Sequence, residues 1–232
     1  MNKWKESELV RSLLGFFLLI LLFVGLFIFV VPSTHQSSKI AEKIKSIKNE
    51  KVTYVAIGDS LTQGVGDSSN QGGFVPVLSQ ALESDFDWQV TSRNYGIAGN
   101  TSNQILKRMQ EKKDIQRDLK KAKVMTLTVG GNDVIHVIKD NITNLNVDTF
   151  TKPAQAYQKR LGQIIELARK DNKTLPIYIV GIYNPFYLNF PEMTEMQTIV
   201  DNWNQSTEEV CKEYDNVYFV PVNDLLYKGI DG

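Results

Sequence analysis

The chain has 232 residues, of which 42% are hydrophobic, and its 26 Lys and Arg balance 26 Asp and Glu. This composition is typical of a globular protein with one domain, and the zero net charge without a clustered basic run argues against nucleic-acid binding. The single cysteine, Cys211, cannot form an internal disulfide and lacks the companions of a metal motif. We therefore expect it to be a small buried hydrophobic residue.

Residues 13–31 form an uncharged apolar run near the N-terminus. At about 1.5 Å per residue, such a run is long enough to cross a hydrocarbon core of about 30 Å. It is longer than the apolar region of most cleaved signals, and no small-residue cleavage site follows it. We predict a transmembrane signal-anchor at 13–31, with secretion after signal cleavage as the alternative.

The basic residues on either side of this run bear on its orientation. Lys3, Lys5 and Arg11 precede it, which favours a cytoplasmic N-terminus at 1–12, although several lysines also follow the run. The polar, Lys-rich stretch 32–50 is interpreted as a linker. The folded domain, 51–232, is then expected outside the membrane.

Patterns typical of strands and helices alternate from residue 51 onward. The predicted strands are 52–58, 89–94, 123–129, 176–183 and 217–220. The predicted helices are 73–84, one that begins near Thr101, 153–171 and 194–214, with a charged, solvated helix or turn at 112–121. This order predicts an α/β fold with a mainly parallel sheet and helices on both faces.

Polar, glycine-rich loops follow the first three predicted strands, and the carboxyl ends of parallel strands meet at one edge of a sheet. Ser60 follows the first strand, Gly99 lies in the loop after the second, and Asn132 lies in the loop after the third. Acyl transfer needs a hydroxyl nucleophile and preorganised donors for the oxyanion. Ser60 offers the hydroxyl, while its own N–H, the Gly99 N–H and the Asn132 amide offer donors.

Each of these residues also has a simpler explanation, because serines often cap helices and glycines often turn the chain. Two neighbouring acids are expected to be structural as well. Asp59 is predicted to hold the Ser60 turn by accepting from loop N–H groups, and Asp133 is predicted to cap the helix that follows it.

The sequences GDSL at 58–61, GNTS at 99–102 and GGND at 130–133 resemble, in this order and at this spacing, the first three blocks of the GDSL, or SGNH, hydrolase family. The resemblance runs from about residue 52 to the end of the chain. It implies a flavodoxin-like three-layer α/β/α sandwich, with Ser60 as nucleophile and an oxyanion hole of the Ser60 N–H, the Gly99 N–H and the Asn132 side chain. Members of this family hydrolyse carboxylic esters, including lipid esters, thioesters and acetyl groups on sugars, and no metal or cofactor is implied. With its predicted anchor, the chain looks most like the membrane-attached or secreted GDSL lipases and esterases of bacteria.

A serine hydroxyl needs a base, and the family supplies one in a fourth block, Asp-x-x-His, after the fifth strand. No histidine follows His136 in this sequence, so this block and the closing helix are expected beyond residue 232. His35 lies in the linker, and His136, one helical turn after Asn132, is a poor substitute. We therefore favour a truncated esterase over the alternative, a noncatalytic form that binds acyl groups.

An aromatic segment at 183–191 follows the fourth predicted strand. Phe186, Tyr187 and Phe190 are candidates for the wall of an acyl pocket, and ordinary packing against a helix explains them equally well. The expected partners are an ester substrate, either a lipid or a small molecule, and the membrane through the N-terminal helix.

Overall fold

The computed structural model describes residues 50–68, 71–141, 146–185 and 194–228. The described residues all belong to one compact unit, Asn49–Gly232. The predicted cytoplasmic segment 1–12, anchor 13–31 and linker 32–50, apart from Glu50, lie outside the described residues. Within the described ranges, no helix is long and apolar enough to cross a membrane.

Five parallel strands form the sheet at the centre of the described unit, in the order β2-β1-β3-β4-β5. Their bounds are Lys51–Gly58 for β1, Gln89–Gly96 for β2, Ala122–Thr128 for β3, Ile177–Val180 for β4 and Val217–Val220 for β5. This is the strand order of flavodoxin-like folds. The predicted parallel α/β architecture is therefore confirmed, although β4 is shorter than the sequence pattern suggested.

Eight helices are found in the described residues. They are α1 Ser60–Gln63, α2 Phe74–Phe86, α3 Ser102–Glu111, α4 Lys113–Lys121, α5 Gly131–Asp140, α6 Thr151–Ala168, α7 Thr194–Lys212 and α8 Asn223–Lys228, and a 3-10 helix at Val147–Phe150 precedes α6. The charged segment predicted at 112–121 is indeed a helix, α4, but one of its faces is buried rather than solvated. Ile115 and Leu119 of α4 are buried, because they lie four residues apart on the same face of an otherwise charged helix.

One face of the sheet carries most of the hydrophobic core. Inward-facing residues of β1, β3, β4 and β5 pack there against helices α3 to α7 and include Val55, Ile57, Met125, Leu127, Ile177, Ile179 and Val217. Leu161, Ile164 and Ile165 of α6 are fully buried in this layer. Cys211 of α7 is also buried in it, as the sequence predicted, and burial raises the pKa of its thiol to about 11.

The opposite face is covered less completely within the described residues. Helix α2 packs there on a small cluster formed around Tyr54, Ala56 and Val124. Farther along the same face, Tyr178 of β4 and Tyr218 of β5 are stacked with their ring centroids 5.0 Å apart. These two rings are 38% and 45% exposed, so the helical layer over β4 and β5 is incomplete in this part of the structure.

The core packing predicts that alanine substitutions at two leucines change the free energy of unfolding by very different amounts. Leu161→Ala should lower the free energy of unfolding by about 2–5 kcal/mol, because it leaves a cavity in the fully packed layer beneath α6. Leu225→Ala removes the same atoms from a side chain that is 71% exposed, and it should change the free energy by less than about 0.5 kcal/mol. Urea unfolding of the full chain, followed by circular dichroism, measures both values. Equal losses for the two variants would contradict this description of the core.

Candidate active site

Ser60 is the first residue of α1, directly after the buried end of β1. The preceding residue, Asp59, is the N-cap of this helix, and its carboxylate accepts a hydrogen bond from the Leu61 N–H at 3.1 Å. This contact is the role predicted for Asp59, which is buried. The turn therefore presents Ser60 at the carboxyl edge of the sheet, where open α/β folds bind ligands.

The hydroxyl of Thr128, at the end of β3, connects β3 to this turn. It accepts from the Asp59 N–H at 3.2 Å and donates to the Asp59 carboxylate at 2.8 Å. It also lies 2.8 Å from the hydroxyl of Thr62 in α1. Both threonines are buried, so the Ser60 turn is held from beneath by bonds that water does not reach.

The loop after β2 is held against α1 by side-chain amides. Asn94 donates to the Thr62 carbonyl at 2.7 Å and accepts from the Gly96 N–H at 2.8 Å. Gln63 accepts from the Ala98 N–H at 2.6 Å. These bonds place the residue before Gly99 next to the helix that begins with Ser60.

Gly99 is exposed and has φ of +79°, a conformation that favours glycine, and a Cβ added there would meet open space. Its neighbour Asn100 accepts at the backbone carbonyl from the Asn132 side-chain amide, with a distance of 3.0 Å. One hydrogen of that amide is used in this bond, and the second remains for another acceptor. Within the described residues, the N–H groups of Ser60 and Gly99 make no hydrogen bond to the protein.

Asp133 does not have the role predicted for it. The N-cap of α5 is Gly130, with no side-chain cap, and Asp133 lies in the first turn. Its carboxylate instead accepts from the N–H of Ser102 at 2.8 Å, from the hydroxyl of Ser102 at 2.5 Å and from Arg160 of α6 at 3.2 Å. The prediction was wrong because Asp133 points towards the start of α3 rather than back to the backbone of α5.

A cavity of about 150 Å³ opens beside Ser60 and Asn132, both of which line it. Most of the other wall residues are apolar. They come from α1, from the end of β3 and α5, from the end of β4 and the segment after it, and from α7: Leu61, Val129, Val134, Ile135, Ile138, Val180, Ile182, Tyr183, Pro185, Met196 and Val200. The site thus combines a hydroxyl and amide donors with an apolar chamber. Gly99 is not among the wall residues, although both of its neighbours are bonded to elements of the site.

The other predicted site residues have different outcomes. Phe186, Tyr187 and Phe190 lie outside the described residues, but Tyr183 and Pro185 of the same predicted segment do line the cavity. His136 is exposed on α5 and is not a wall residue, while its neighbour Ile135 is one. His35 lies outside the described residues. In the described part of the chain, no three His, Cys, Asp or Glu side chains gather as metal ligands would.

Several residues that shape the site were not predicted from the sequence. Arg108 of α3 donates to the carbonyls of Tyr95 at 3.0 Å and Gly58 at 3.2 Å, and so joins the ends of β2 and β1. Burial lowers the pKa of this guanidinium. Neither Arg108 nor Arg160 lies in a motif, and each follows a lysine on an amphipathic helix, where a solvent-exposed charge is expected. Their bonds span long separations in the sequence, and no local pattern reports such contacts.

The sequence model of the GDSL-like lipase/acylhydrolase family matches residues 56–231, which is most of the chain. The chain belongs to this family. It is therefore a hydrolase of the GDSL, or SGNH, type, as the three sequence blocks indicated.

Two relatives and one solved structure are among the proteins similar to this chain. An uncharacterized protein of Bacillus subtilis, YpmR, is 32% identical over 86% of this chain and 78% of its own. The spore germination lipase LipC of Bacillus licheniformis is 30% identical over 76% of this chain and 82% of its own. The lipase Lip_vut3 from a goat rumen metagenome shares the fold, with a TM-score of 0.68 and 23% identity over 78% of this chain and 84% of its own.

The bonds around the Ser60 turn of this GDSL hydrolase predict a contrast between two substitutions. Asp59→Ala should lower the free energy of unfolding by about 1–3 kcal/mol, since it removes the helix cap and leaves the buried Thr128 hydroxyl with one partner fewer. Asp59→Asn keeps a carbonyl oxygen in the same place and should retain most of the stability. Urea unfolding of both variants tests this, and equal losses would show that the charge of Asp59 matters more than its acceptor oxygen.

Proposed function

We propose that this protein is a carboxylic ester hydrolase in which the Ser60 hydroxyl attacks the ester carbonyl. The alcohol leaves, the acyl group stays on Ser60 as an ester, and water then releases it as a carboxylic acid. The observation that carries the proposal is that Ser60 and Asn132 line one cavity whose other walls are largely apolar. Family membership supports the same chemistry.

In this proposal the oxyanion is bound by three donors: the Ser60 N–H, the Gly99 N–H and the second hydrogen of the Asn132 amide. The first two are free in the described structure, and the third is left over after the bond to Asn100. Ser60 is also the first residue of α1, where a backbone N–H has no intrahelical partner. Preorganised donors of this kind stabilise the transition state more than the ground state.

We further propose that the acyl chain enters the apolar cavity. An apolar cavity of about 150 Å³ accommodates benzene in an engineered protein, so this cavity has room for an acyl chain of about four to six carbons. Burying the methylene groups of an acyl chain against such a wall is favourable, and an acetyl group has no methylene to bury. This favours short-chain to medium-chain acyl esters, which include lipid esters, over acetylated polymers. The name of the related LipC, a spore germination lipase, agrees with a lipid ester.

The proposed location is outside the cytoplasmic membrane, with the apolar run at 13–31 as anchor, and secretion after signal cleavage is the alternative. The support is the length of this run and the cations before it. Treatment of intact cells with a protease that cannot cross the membrane tests the location of the domain. Degradation of the domain in intact cells supports it, and protection until the cells are broken contradicts it.

The reaction is tested most directly on its first step, acylation of Ser60 by p-nitrophenyl butyrate in the full chain in detergent. The p-nitrophenolate group leaves without protonation, so this step needs no general acid. It still needs a base for the Ser60 proton, and a parallel arm therefore adds imidazole as an external base. We expect a burst of p-nitrophenolate and a butyryl group on the Ser60 peptide by mass spectrometry, both absent in Ser60→Ala. Asn132→Ala should slow acylation by about 10²–10³.

Two controls separate acylation of Ser60 from other reactions and test the role of His136. Hydroxylamine removes an acyl ester from serine and leaves an acyl amide on lysine, so it separates the proposed adduct from surface acylation. His136→Ala should acylate at the wild-type rate, because this side chain is exposed and does not line the cavity. Acylation of Ser60→Ala at the wild-type rate with the same hydroxylamine sensitivity would overturn the proposal, and loss of acylation in His136→Ala would make His136 the base.

The cavity predicts a dependence on acyl length. Each methylene added between acetate and hexanoate should raise the acylation efficiency by up to about fourfold, since a buried methylene is worth about 0.8 kcal/mol. Ile138→Trp fills the cavity from α5 and should remove this gain while leaving the acetyl ester a substrate. Rates of acylation with the p-nitrophenyl esters from acetate to octanoate measure the trend. Equal slopes in wild type and Ile138→Trp would show that the acyl chain binds elsewhere.

A further inference from the structure

Arg160, Asp133 and Ser102 form a closed cluster behind the oxyanion donors, and three different helices contribute to it. The Asp133 carboxylate of α5 accepts from the N–H and hydroxyl of Ser102, which begins α3. Arg160 of α6 donates to the Ser102 hydroxyl at 2.7 Å and to Asp133 at 3.2 Å. Ser102 is 0% exposed and Asp133 is 7% exposed, so their bonds are shielded from water.

The cluster connects the two loops that carry the Gly99 and Asn132 donors. Asp133 directly follows Asn132, and Ser102 comes three residues after Gly99. The two residues therefore join the loop that carries one proposed oxyanion donor to the loop that carries another. The bond from the Asn132 amide to the Asn100 carbonyl is a second connection between the same loops.

We propose that Arg160 is a positioning residue for acyl transfer, which acts through Asp133 and Ser102 to fix the distance between the Gly99 and Asn132 donors. This proposal rests on the proposed function, because it needs these donors to bind the oxyanion. Neither Arg160 nor Asp133 lines the cavity, so neither touches the substrate. Both carboxylate oxygens of Asp133 are already bonded, which argues against Asp133 as an acid or base in the reaction.

The chemistry of the cluster explains why an arginine is suited to the task. Its planar guanidinium bonds two acceptors in a fixed relative geometry, here Ser102 Oγ through Nε and Asp133 Oδ1 through Nη2. Its positive charge also balances a carboxylate held away from water. A lysine in its place has a single ammonium group on a flexible stem, so it offsets the charge without fixing both partners.

The test compares Arg160→Met, Arg160→Lys and Ser102→Ala with Arg169→Met as the matched control. Arg169 follows α6 and donates to the carbonyls of Leu175 and Asn216, which lie just before β4 and β5 at the opposite edge of the sheet. Burial lowers the pKa of this guanidinium too. It is thus a partly buried arginine with a structural role away from Ser60.

The readout is the rate of Ser60 acylation by p-nitrophenyl butyrate at saturation, together with the half-saturating ester concentration and the Tm. We expect Arg160→Met to slow acylation by about tenfold or more with little change in half-saturation, because misplaced donors affect the transition state. Arg160→Lys should recover part of the rate. Ser102→Ala leaves the Asp133–Arg160 ion pair in place, and it should slow acylation by several fold. This variant tests the proposal even if Arg160→Met does not fold. Arg169→Met should lower Tm without slowing acylation.

The possible failures are distinguishable. Wild-type acylation in Arg160→Met and Ser102→Ala, while Ser60→Ala is inert, would overturn the positioning role and leave the proposed function intact. An equal slowing in Arg169→Met would also overturn it, because any loss of stability would then suffice. Wild-type acylation in Ser60→Ala would overturn the proposed function itself.

Discussion

The buried hydroxyl of Thr128 is the contact on which the geometry around Ser60 depends. It bonds the backbone and carboxylate of Asp59 and meets the hydroxyl of Thr62, so one side chain at the end of β3 holds both sides of the Ser60 turn. A Cβ on Gly58 would lie 2.1 Å from this hydroxyl, which means that a glycine is needed there for so close an approach. The first glycine of the GDSL sequence is thereby explained by packing.

The strand order makes the rest of the site possible. In space β1 lies between β2 and β3, so the loops that follow these three strands meet at one edge although they are far apart in the sequence. Hydrogen bonds then hold these loops together, between Gln63 and Ala98, Asn132 and Asn100, and Asp133 and Ser102. Donors fixed in this way need little reorganisation when charge develops in a transition state.

The sequence predicted the elements and the three loops well, because alternating apolar periods and glycine-rich breaks are local signals. It also predicted that Asp59 accepts from an N–H group of the Ser60 turn, a bond between residues only two apart. It failed at Asp133, whose partners Ser102 and Arg160 lie 31 and 27 residues away. It also missed most of the cavity wall, since Ile138 and Met196 look like ordinary core positions of amphipathic helices until the fold places them beside Ser60.

The two halves of the site differ in how they are built. The hydroxyl and the proposed donors lie at the ends of β1, β2 and β3, where buried hydrogen bonds fix them and small displacements are costly. Much of the cavity wall comes from the end of β4, from α5 and from α7, and it is made largely of aliphatic side chains, whose packing tolerates changes in shape when volume is kept. Under the proposed function, the fold separates the groups for acyl transfer from those that select the acyl group. Exchanges in the wall would then change which acyl group is accepted, while the hydrogen-bonded edge that carries Ser60 stays unchanged.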